Sequence, residues 1–162
     1  SIAAEYPVTS YPLPAIAFST LDADASWACP ALQMDLWTSQ RVPTYAYEFD
    51  DDNAPARYFP PFPFPPPIAA ATHTSELPYI FDLNDAPVQI PLSPDQQTLA
   101  ASMRAAWASF ASTGNPGEES NMRWPSFGGD DGSRVLSLLA PQPMVIGDFA
   151  SRHHCGFWSA AE

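Results

Sequence analysis

Glycine is scarce in this sequence, and its placement is telling. Only seven glycines occur in 162 residues, and none precedes Gly114. A nucleophilic serine on a tight G-x-S-x-G turn needs two glycines four positions apart. The only such pair, Gly128 and Gly132, flanks Asp130 and Asp131, so no serine of that kind is present. Basic residues are also few, with 6 Lys and Arg against 18 Asp and Glu and a net charge of −12. That imbalance argues against a nucleic-acid or anionic-membrane surface, because phosphate would be repelled. No apolar run reaches the length of a membrane span. The first residues, SIAAEYPVTS, lack the basic and apolar regions of a targeting segment. The two cysteines, Cys29 and Cys155, permit a pair, two free thiols or metal ligation. Metal binding by His153-His154-Cys155 is disfavoured, since adjacent side chains do not normally converge on one ion.

What is abundant is apolar and aromatic: 46% hydrophobic residues and 13% aromatic ones, enough for one domain with a sizeable core. Twenty prolines punctuate the chain, most of them in its first two thirds. The acidic runs Asp50-Asp51-Asp52 and Asp130-Asp131 read as solvated loops, with calcium ligation a weaker alternative. No internal repeat is evident, and residues 1–162 are expected to form one segment, with a proline-rich loop at 59–67.

Residues 26–41 predict a helix with Ser26 as N-cap, Pro30 in its first turns, and an apolar side of Leu32, Met34, Leu36 and Trp37. Residues 42–49 alternate as a strand, with Tyr45, Tyr47 and Phe49 on one face. The clearest helix spans 94–113. Ser93 caps it, Pro94 suits its first position and Gln96 completes a capping box. Leu99, Met103, Trp107 and Phe110 form its buried stripe, and Gly114 with Pro116 ends it. Short strands are expected near 135–139 and 143–146, then a short helix holding Cys155 and Trp158. Interleaved helices and strands give an α/β class.

His73, in the stretch THTSELPYIF, is one of three histidines and follows a strand and a proline-rich turn. A histidine on a loop held by a rigid scaffold suits a general base, although composition alone favours an ordinary surface histidine. Glu76 lies three residues on, where it could meet His73 or stabilise the segment that follows.

Five stretches in order carry a resemblance to a known family: YPVTSYPLPAIAFSTLDADASWACPAL with Asp24, Trp27, Cys29 and Pro30; YAYEFD; THTSELPYIF; MRAAWASFASTGNPGEESNMRWPSF; and HHCGFW. Together they run along nearly the whole chain, and they resemble the C-terminal part of the type-B carboxylesterases and cholinesterases. The resemblance implies the last strands and helices of an α/β-hydrolase fold, incomplete on its own, and a serine esterase that needs no cofactor. It implies that His73 is the triad histidine, that Glu76 supports it from behind, and that Cys29 and Cys155 are paired. A pair in turn implies an oxidising, extracytoplasmic compartment. Thr74 and Ala70 stand where such proteins often have glycine.

In that fold the triad runs serine, acid, histidine along the chain. The serine and the acid are therefore expected in an N-terminal part not represented here, which becomes the implied partner, with a small ester as substrate of the complete enzyme. The strand at Tyr45–Phe49 should present an open edge to that part. The alternative is a non-catalytic binding or adhesion module on the same fold. A displayed proline-rich ligand at Arg57, Pro60 and Pro63 is weaker, because Phe59, Phe62 and Phe64 favour a packed lip beside the substrate gorge.

Overall fold

The computed structural model describes residues 1–55, 70–83, 85, 89–119, 122–128 and 134–160. The proline-rich loop at 59–67, with Arg57, and the Asp130-Asp131 turn fall outside them. In chain order the helices are α1 (Ile2–Glu5), α2 (Pro14–Ala23), α3 (Cys29–Thr38), α4 (Leu77–Ile80), α5 (Pro94–Thr113), α6 (Phe149–Arg152) and α7 (Cys155–Ser159). The strands are β1 (Ala46–Phe49), β2 (Glu118–Glu119), β3 (Met122–Arg123), β4 (Val135–Leu138) and β5 (Met144–Ile146). Two compact units result. One comprises Ser1–Thr44, Phe127–Ser133 and Gly147–Glu162, the other Tyr45–Ser126 and Arg134–Ile146.

The first unit is helical. A π-helical turn, Asp24–Ala28, joins α2 directly to α3. The helix expected to begin at Ser26 therefore begins at Pro14, and Ser26 donates to Asp22 Oδ1 (3.3 Å) instead of capping. Pro30 explains the turn. It has no N–H to give to Ser26, and its ring would strike that carbonyl. Widening the helix by one residue relieves both problems, and the Cys29 amide reaches back to the Asp24 carbonyl. Of the apolar side expected on α3 only Leu32 is buried; Met34, Leu36 and Trp37 are exposed, and so is Trp27 on the π turn.

The second unit is a sheet covered by a helix. β4 is the middle strand, parallel to β1 (Ala46↔Val135 to Phe49↔Leu138) and antiparallel to β5. All four residues of β4 are buried, as the pattern VLSL flanked on both sides requires. Ladder pairing begins at Ala46 and not at Val42, because β4 offers only four residues to pair with. Among the described residues the outer edge of β1 has no partner strand. β2 and β3 form a separate antiparallel pair.

Helix α5 matches its sequence signals. Ser93 and Gln96 complete the capping box (2.9 and 3.3 Å), and Gly114, at φ 76°, closes the helix with its amide on the Phe110 carbonyl. Leu99, Ala100, Met103 and Ala106 pack with Tyr79, Met122, Trp124, Leu136 and Leu138 into the core. The stripe is buried only along its first half. Trp107 is partly buried, and Phe110, on the last turn, is 49% exposed.

A candidate active-site loop

The segment that carries His73 follows β1 in the chain. Immediately past Phe49 comes the acidic run, which is not the solvated turn expected. Asp51 is buried; it accepts the Tyr79 hydroxyl and, at 3.1 Å, the Gln96 side-chain amide on Oδ2, and the Asn53 amide on Oδ1. Asp50 accepts the Ser137 hydroxyl (2.8 Å), and Asp52 accepts the Ala71 amide (3.3 Å). These carboxylates tie the end of β1 to the middle strand, to α5 and to the residues just before His73. Burial, reinforced by the Asp51 bond, raises the Tyr79 hydroxyl far above its ordinary pKa, so it stays protonated and keeps donating to Asp51 well into the alkaline range.

His73 itself is exposed on a tight turn. The Ser75 amide and hydroxyl both bond the Thr72 carbonyl (3.0 and 2.6 Å), and the Leu77 amide bonds that of Thr74 (3.2 Å). Thr74 has φ 73°. A β-branched residue in the left-handed region is strained, and such strain persists only where the surroundings impose it. The loop thus keeps a glycine-like backbone without the glycine. Its far side is pinned by α4, where Pro78 and Tyr79 are buried and Arg104 donates to the Tyr79 carbonyl (2.9 Å).

Glu76 occupies the residue before α4 and is half-buried. Its negative charge, after desolvation, contributes to the raised pKa of the Tyr47 hydroxyl, which puts its carboxylate within electrostatic reach of β1. His73 and Glu76 therefore share one turn whose two ends are fixed to buried groups.

In the helical unit Cys29 and Cys155 are joined in a disulfide, with Cα atoms 5.2 Å apart. His153 pairs through Nδ1 with Asp24 Oδ1 (2.7 Å) and His154 with Glu5 Oε1 (2.9 Å). The three consecutive residues His153, His154 and Cys155 thus turn to three different partners. Among the described residues no group of three or more His, Cys, Asp or Glu is arranged to hold a metal ion. Asp24, which the π turn carries inward, is 1% exposed and also accepts the Tyr6 hydroxyl (2.9 Å), itself the acceptor for the Trp158 indole N–H (2.7 Å). Sequence periodicity offers no sign of this network, because its members lie up to 152 residues apart. No helix among the described residues is long and apolar enough to cross a membrane.

The chain is 31% identical over 144 residues to the human cocaine esterase and 30% identical to the mouse acylcarnitine hydrolase, covering 89% of this chain in both cases. It is 29% identical over 101 residues to the para-nitrobenzyl esterase of Bacillus subtilis. A solved PNB esterase superposes with a TM-score of 0.67 at 23% identity, over 95% of this chain and 30% of that one, which establishes the fold as part of an α/β hydrolase. The chain spans about a quarter of the length of the curated relatives it matches, 24% of each of the first two. The carboxylesterase family model matches residues 14–158, and the chain belongs to that family.

Proposed function

We propose that this chain is the C-terminal part of a carboxylic-ester hydrolase and contributes the catalytic histidine, His73, of its triad. A serine and an acidic residue come from an N-terminal part outside the present sequence. His73 takes the serine proton as the ester carbonyl is attacked, then returns a proton to the departing alcohol. The acyl-enzyme is hydrolysed by the same exchange with water. Glu76 steadies the turn from behind, and the Cys29–Cys155 disulfide fits a secreted protein.

The observation that carries this reading is the build of the loop. His73 is exposed at the carboxyl end of β1, where open α/β sheets place their ligands, on a strained backbone clamped by buried Asp51 and Tyr79. The open edge of β1 and the exposed Trp27, Met34 and Trp37 support the second half of the proposal, that further protein covers these surfaces. By itself the chain lacks a positioned nucleophile and has negligible esterase activity. Hydrolysis of p-nitrophenyl butyrate by the purified chain and by His73→Ala tests this. Equal, non-saturating rates are expected. Saturable turnover lost in the variant would reveal a nucleophile within these 162 residues and overturn the fragment reading.

A further inference from the structure

The sheet-and-helix unit holds an aromatic pocket of about 150 Å³. Tyr45, Tyr47, Trp107, Phe110 and Trp124 form most of its lining, together with Ala106. It exists because α5 presents a small residue, Ala106, beside rings that meet edge-on or, for Trp107 and Trp124, tilted at 51°, instead of stacking. Tyr47 lies 5.1 Å from Trp107 at 73° and 5.6 Å from Trp124 at 81°, and Tyr45 lies 6.0 Å from Phe110 at 76°. The rings are held before any ligand arrives. Trp124 is 8% exposed and its indole N–H donates to the Ala46 carbonyl (3.0 Å), which leaves that group no role in the pocket. Tyr47 and Phe110 are 45% and 49% exposed, so the pocket opens to solvent.

We propose that this pocket binds a single uncharged aromatic ring. Its volume matches that of an apolar cavity that takes up benzene, and its walls are mainly aromatic. A sixth ring entering among these walls can meet them edge-to-face at the separations they already keep with one another. Among the described residues no charged side chain lines the pocket, so an anion finds no partner there and a cation meets only ring faces. Binding here needs neither His73 nor ester chemistry.

Fluorobenzene observed by ¹⁹F NMR against the 162-residue chain provides the test. Saturable binding in the millimolar range or tighter is expected. Phe110→Ala removes one exposed wall and should weaken it about two- to twelvefold, the worth of one aromatic contact. Ala106→Leu fills the space and should abolish it, with circular dichroism confirming the fold. Should that variant not fold, Phe110→Ala alone decides. Tetramethylammonium should not displace the probe. A flat titration, an affinity unchanged in the folded variants, or displacement by tetramethylammonium at similar concentration overturns the proposal, the last by making the pocket a cation site.

Discussion

Asp24 offers the sharpest test of how the helical unit holds together. Its carboxylate is 1% exposed and takes two hydrogen bonds, from His153 Nδ1 at 2.7 Å and from the Tyr6 hydroxyl at 2.9 Å. A carboxylate only accepts, so Nδ1 of His153 carries a proton in this arrangement. Asp24→Ala leaves His153 and Tyr6, both largely buried, without their acceptor. Breaking a buried pair by removing one partner costs about 3–5 kcal/mol. At this chain length that corresponds to a fall in Tm of about 6–20 °C. Asp24→Asn keeps an acceptor for one neighbour and should cost less than the alanine change. Thermal and urea unfolding followed by circular dichroism, with the disulfide intact in every variant, measures the series. A loss below about 1 kcal/mol for Asp24→Ala, the worth of an exposed pair, would refute the claim that this network is a buried structural centre.

Three other outcomes follow from the same geometry. Replacing Cys29 and Cys155 together by alanine frees a closed loop of 126 positions and should cost up to about 5 kcal/mol, read as a shift of the urea midpoint that reductant reproduces in the parent chain. Burial, with the Asp24 bond adding to it, pushes the Tyr6 hydroxyl up to about 12. Because the folded pKa is raised, this contribution is fully present below the unfolded value near 10 and is lost as pH climbs through 12, so urea midpoints should fall between pH 9.5 and 12 and fall less in Tyr6→Phe. Thr74→Gly relieves a left-handed threonine and should stabilise the chain by about 1 kcal/mol in denaturant titrations, the net of the strain removed and the flexibility glycine adds; a destabilised variant would show that the threonine side chain is needed where it stands.

Local chemistry explains which elements could be read from the sequence. The ends of helix α5 were legible because its start and stop are written in adjacent residues: Ser93, Pro94 and Gln96 at one end, Gly114 at the other. The helical run from Pro14 to Thr38 was not, because Pro30 reads as a helix start while the π turn lets a helix pass through it. Burial was less legible than periodicity. Met34 and Trp37 have helical spacing, yet among the described residues both stay exposed. The acidic run misled for a related reason. Three consecutive aspartates look like solvent, and only the fold brings Tyr79 and Gln96, 28 and 45 positions away, to bury Asp51. The candidate site was visible chiefly through family resemblance, since a histidine on a loop has no periodic signature. The left-handed backbone at Thr74 could be anticipated only by comparison with the glycine that such proteins carry there.

The most direct test of the account is a chimaera in which this chain replaces the corresponding C-terminal part of the Bacillus subtilis para-nitrobenzyl esterase, assayed on p-nitrophenyl butyrate beside its His73→Ala variant. If His73 is the triad histidine, the chimaera turns over with saturation and the variant loses at least about 10⁴-fold in kcat. A folded, active chimaera that keeps its rate without His73 would contradict the account.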